Sequence, residues 1–105
     1  MTPNDAIQFL TRIAAIEPDM PLSQAKCLFI VAKEEEGMSL SDIAKKAGIG
    51  LATASRYIGA LGNINRHKEE GLKLIESFED PMERRKKIIR LTVKGKIAIR
   101  KILGE

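Results

Sequence analysis

The chain has one cysteine, Cys27, and one histidine, His67, in 105 residues. A lone thiol leaves no partner for an intramolecular disulfide, and no set of Cys and His stands at ligand spacing, so neither a metal nor a cofactor is expected. No stretch approaches the ~18 consecutive apolar residues of a membrane span. The start, Met1-Thr2-Pro3-Asn4-Asp5, lacks the basic region and unbroken apolar run of a secretory signal. These absences lead to the expectation of a soluble, cytoplasmic protein without membrane association. Ser, His, Asp and Glu show no nucleophile or metal-ligand spacing, so no catalytic residue is nominated and an enzyme is the remotest reading.

What is present suits one small core. With 44% hydrophobic residues, residues 1–105 are expected to form a single domain. Charged residues make up 30% and the formal net charge is +4, a balance that favours an anionic partner. A mildly basic surface kept for solubility is the plain alternative, so the distribution of the charge matters more than its sum.

Helical spacing begins at residues 4–16, where Asn4 can cap and Ile7, Leu10, Ile13 and Ala14 form a core-facing stripe. Phe9, Ala15 and Ile16 widen that stripe, which fits either contact with a second chain or a broadly buried helix. Pro18 and Pro21 interrupt it, and residues 22–36 resume it with Leu22, Ala25, Leu28, Phe29, Val31 and Ala32 until Gly37 stops the helix. Cys27 lies inside this apolar run and reads as a core residue. Ser41 and Asp42 can cap a short third helix ending at Gly48, and Gly50 opens a fourth running to about Leu61. Residues 63–71 are polar and read as a loop. Two Ile-containing segments, 73–78 and 87–91, flank a turn and suggest a β-hairpin, after which Thr92 can cap a last helix over 93–103, with Val93, Ile97, Ile99, Ile102 and Leu103 as its apolar set. The fold class is therefore mainly α (α+β), with about five helices and a small hairpin.

Between Leu40 and Gly59, the succession Ile43, Ala44, Ala47, Gly48-Ile49, Ala54, Tyr57 and Ile58 has helix-turn-helix spacing. Ala44 lets two helices cross closely, Gly48 permits a left-handed turn, and Ile43, Ile49, Ala54 and Ile58 can close a small core beneath them. The second helix then carries Leu51, Ala52, Thr53, Ser55 and Arg56 at its start and outer face. Hydroxyls can bond phosphate or base edges, Arg can read guanine, and a short residue such as Ala52 lets the helix lie deep in a major groove. Two ordinary helices joined by Gly48-Ile49-Gly50 remain the alternative until the hairpin is considered. Arg84, Arg85, Lys86, Lys87 and Arg90 place five cations in seven residues there, with Lys94 and Lys96 behind, which favours a phosphate-facing wing over a merely solvated run.

Five segments carry a family resemblance: Gln24-Ala25-Lys26-Cys27-Leu28, Leu40-Ser41-Asp42-Ile43-Ala44, Thr53-Ala54-Ser55-Arg56, Asp80-Pro81-Met82-Glu83-Arg84-Arg85 and Leu91-Thr92-Val93-Lys94-Gly95. From about residue 22 onward the chain resembles the MarR family of bacterial and archaeal winged-helix regulators. The resemblance implies a winged helix-turn-helix homodimer on palindromic double-stranded DNA, with recognition helices in successive major grooves and wings in adjacent minor grooves. It also implies that Thr53, Ser55 and Arg56 face the groove, that Arg85 is the wing-tip arginine, and that Asp80 braces the wing by pairing with the basic segment. The terminal helices are the candidate dimerisation elements.

The chain departs from the family pattern at several points. Glu83 stands for the second Asp of the family's Asp-Pro-x-Asp-x-Arg, and residues 62–71 form a longer connection. Within it, Arg66 and Lys68, with His67, are candidates for further phosphate contacts or for a solvated loop. One helix follows the wing where relatives carry a longer dimerisation region, so a smaller or differently built dimer is expected. Phe9, Phe29, Tyr57 and Phe78 are the only aromatics, and nothing points to a pocket for a small-molecule effector. The function read from all this is a transcriptional regulator acting as a repressor. The alternative is a winged helix of replication initiation or nucleoprotein assembly, and selection of duplex sequences separates the two.

Overall fold

Apolar stripes punctuated by caps and glycines give, in the computed structural model, the order α1 (Pro3–Ile16), α2 (Leu22–Ala32), β1 (Met38–Ser39), α3 (Leu40–Ala47), α4 (Leu51–Leu61), β2 (Ile75–Glu79), β3 (Lys87–Leu91) and α5 (Val93–Leu103). Residues 1–63, 69–83 and 85–105 are described. Among them, no helix is long and apolar enough to cross a membrane.

The cap of α1 is Thr2 rather than Asn4. The Thr2 hydroxyl accepts from the Asp5 amide at 3.1 Å, the Asp5 carboxylate accepts from the Thr2 amide at 3.0 Å, and Pro3 occupies the first turn. Hydrogen bonds from Thr2, its backbone amide first and its side chain second, hold the Asp5 carboxyl below the usual carboxylate range. The stripe of α1 is also rotated from the expected one. Phe9, Ile13 and Ile16 pack on the core, while Ile7 and Leu10 are 63% and 54% exposed. Two contacts fix this roll: Phe9 meets Phe29 of α2 at a ring separation of 5.6 Å, and Arg12 donates to the Ile102 carbonyl of α5 at 3.3 Å.

Helix α2 buries Gln24, Ala25, Cys27, Leu28 and Val31 and packs against α3, α4, α5 and β3. Leu22, expected in its stripe, is exposed at its first turn. The helix ends at Ala32, short of Glu36, because Lys33, Glu34, Glu35 and Glu36 offer nothing to bury before Met38. Gly37, at φ +92°, instead turns the chain into β1, where a side chain would meet Ile88 and the Ile89 carbonyl.

Strand β1 was not visible in the pattern. It adds two residues to the hairpin, Met38 opposite Ile89 and Ser39 opposite Ile88, giving an antiparallel sheet in the order β1-β3-β2. Strand alternation sends Met38, Ile75 and Ile89 into the core and leaves Glu76 and Arg90 outside.

A short strap joins the two halves. Leu72, Lys73 and Leu74 donate their amides to the Ala60, Gly62 and Leu61 carbonyls at 2.9, 2.8 and 2.8 Å. The Thr92 amide donates to the Leu74 carbonyl at 3.0 Å and the Thr92 hydroxyl to the Lys73 carbonyl at 2.8 Å. The end of α4 and the start of α5 are thus held through one backbone segment, which sets the hairpin's position relative to α4.

Candidate nucleic-acid interface

Ser39 caps α3 by accepting from the Asp42 amide at 3.2 Å, so Ser41 and Asp42, expected as caps, lie in the first turn and face solvent. Ile43, Ala44 and Ala47 form the buried side of α3. At its end, Gly48 adopts φ +70°, ψ +34°, and the Ile49 amide reaches back to the Ala44 carbonyl at 3.1 Å. Nothing stands within 4 Å of a side chain placed at Gly48, so backbone conformation rather than lack of room calls for glycine there.

Helix α4 is held by Ala54, which is fully buried, with Tyr57 and Ile58 packed against the core. That leaves Leu51, Ala52, Ser55 and Arg56 exposed along one face, with Thr53 half-buried at its edge. On the hairpin, Asp80 braces the turn through backbone groups rather than through a described pairing with a basic side chain. Its carboxylate accepts from the Met82 amide at 2.9 Å, and its amide donates to the Lys86 carbonyl at 2.9 Å. Arg85, Lys86 and Lys87 are exposed beyond this brace. Arg84, Arg66, His67 and Lys68 lie outside the described residues.

One cleft of about 570 Å³ brings these distant segments together. Ser41, Asp42 and Leu51 line one side, and Glu83, Arg85, Lys86 and Lys87 the other. Asp42 and Glu83 were not nominated from the sequence, and only the exposed face of α3, with its polar residues at helical spacing, could have pointed to Asp42. Arg90 does not belong with the wing-tip cations. It pairs with Glu76 at 2.9 Å and lies over the Phe78 ring at 4.3 Å on the outer face of the sheet. Lys94 borders a different hollow, of about 540 Å³, formed by Ala15, Ile16, Leu72, Leu74, Ile97 and Ile102 between α1 and α5. No feature of the sequence had indicated that hollow. Cys27 is fully buried, and burial pushes its thiol up, away from the reactive thiolate.

Residues 28–64 match the family model of the IclR helix-turn-helix domain. No curated protein matches the chain in sequence. Among solved structures, Rv1404 from Mycobacterium tuberculosis superposes with a TM-score of 0.77 at 20% identity, over 94% of this chain and 61% of its own. The S. aureus MepR–DNA complex gives 0.72 at 24% identity, over 96% of this chain and 72% of MepR. CouR, a transcriptional repressor bound to a 23-mer DNA duplex, gives 0.71 at 22% identity, over 94% of this chain and 62% of CouR. MepR and CouR are MarR-family winged-helix regulators. The chain spans about three fifths of the length of Rv1404 and CouR. The fold is a winged helix-turn-helix, in which α3 and α4 are the helix-turn-helix and β2 and β3 the wing.

Proposed function

We propose that this chain is a MarR-like, sequence-specific regulator of transcription that binds double-stranded DNA and acts as a repressor. The observation that carries the reading is the shared cleft, in which Leu51 of the recognition helix and Arg85, Lys86 and Lys87 of the wing face one another. On this reading Leu51, Ala52, Thr53, Ser55 and Arg56 enter a major groove, and Arg84 to Lys87 follow the neighbouring minor groove, with Asp80 bracing the wing. Arg66 and Lys68 add phosphate contacts. The chain works as one winged-helix unit, without catalysis, and pairs through α1 and α5 into a homodimer on a palindromic site. In support, MepR and CouR, which share the fold, were solved on DNA, and CouR is a repressor.

The test is selection of bound duplexes from a random pool by the purified chain. The expected result is a palindrome with half-sites about one helical turn, ~10 bp, apart. Recovery of no preferred duplex would overturn the reading in favour of a role in nucleoprotein assembly.

A further inference from the structure

In the first turn of α4 the exposed side chains are apolar, and the one hydroxyl, that of Thr53, is half-buried at the edge of the face. Ala54 is fully buried, Thr53 is half-buried, and the two side chains that stand out are Leu51, 55% exposed, and Ala52. Leu51 is not among the apolar side chains packed on the core. It projects into the cleft beside Ser41, Asp42, Arg85 and Lys87, with half-buried Leu40 nearby. A large hydrocarbon left more than half exposed among charges and hydroxyls is no part of the core, and its place at the leading end of the helix puts it where recognition helices meet base edges. The hydrogen-bonding groups of the face, Ser55 and Arg56, come one turn later.

A major groove presents donors and acceptors from every base pair but one kind of apolar group, the 5-methyl of thymine. We infer that Leu51, with Ala52 beside it, is a specificity-determining contact for a thymine methyl in each half-site, while Ser55 and Arg56 read the adjoining bases. This rests on the DNA-binding reading above and adds to it the identity of a base. The leading turn selects by hydrocarbon contact, so it distinguishes thymine from cytosine or uracil at that position without forming a hydrogen bond.

The experiment uses the whole chain and its selected duplex, with each thymine replaced in turn by deoxyuridine, which removes the methyl and keeps the O4 acceptor. One thymine per half-site should lose about fourfold in affinity on replacement, the size expected for one buried methyl-sized group. In Leu51→Ala, whose exposed position and good helix propensity leave the fold intact by circular dichroism, that thymine and deoxyuridine should bind alike. Leu51→Met, which keeps a long apolar side chain at the position, should retain much of the difference. A selective duplex with no deoxyuridine-sensitive thymine would overturn the inference while leaving the DNA-binding reading standing. So would an undiminished methyl effect in Leu51→Ala. Failure to select any duplex would remove both.

Discussion

At the scale of single residues, Arg56 and Gly95 stand for the two kinds of constraint on this chain. Arg56 is exposed on the free face of α4 and has no role in the core. Arg56→Ala should therefore leave the melting temperature near that of the parent. It should relax preference at particular base pairs, at about 1–3 kcal/mol if it contacts guanine, as read by binding to single-base variants of the selected site. A uniform loss on all duplexes would instead make Arg56 a phosphate contact. Gly95 is the reverse case. Its amide donates to the capping hydroxyl of Thr92 at 3.0 Å, and a side chain there would fall on the Leu74 carbonyl oxygen, which the Thr92 amide already holds. Gly95→Ala should destabilise the fold by about 2–3 kcal/mol or more, since a backbone atom cannot swing aside as a side-chain tip can. A thermal melt unchanged from the parent would contradict this. The Leu91-Thr92-Val93-Lys94-Gly95 pattern was legible in the sequence, whereas its cause was not, because the strap at Leu74 that crowds Gly95 is remote from it in the chain.

Among the elements, the hairpin shows how far counting charges carries and where it stops. Five cations in residues 84–90 mark a wing, yet Arg90 is drawn onto Glu76 and Phe78 by cross-strand register. That register depends on where the turn closes, which composition does not disclose. Arg85→Ala should accordingly weaken selected and unrelated duplexes alike and flatten the log-log salt slope by about 0.9, the size of one phosphate contact. Arg90→Ala should leave the slope in place and lower only thermal stability. Equal effects of the two on the salt slope would show that the hairpin presents Arg90 to DNA after all. Two helix boundaries follow directly from the sequence: Gly48 closes α3 and Thr92 caps α5. Others were misread where tertiary contact decides. The roll of α1 follows from Phe9 against Phe29 and from Arg12 bonded to α5. The early end of α2 follows from a two-residue strand too short to leave a periodic signal.

For the whole molecule, the surface still to be accounted for is apolar. Ile7 and Leu10 on α1 and Ile97 and Leu103 on α5 are each about half exposed or more, and apolar surface of this kind is what a second chain would cover. In a two-fold homodimer those helices would be covered and two recognition helices would be set for successive grooves. Sedimentation at micromolar concentration should give a species twice the 11.6 kDa of one chain, and Leu10→Asp with Ile97→Asp should return it to the monomer with its helix content kept. Only the single-chain mass in the parent, free and on DNA, would rule the pairing out. Whether α4 and the wing bind one duplex together is read by affinity for the selected palindrome and for random duplex across a series of salt concentrations. The palindrome should be preferred about a thousandfold or more, with binding to both falling steeply as salt rises. Equal affinity for the two, or affinity indifferent to salt, would contradict joint binding.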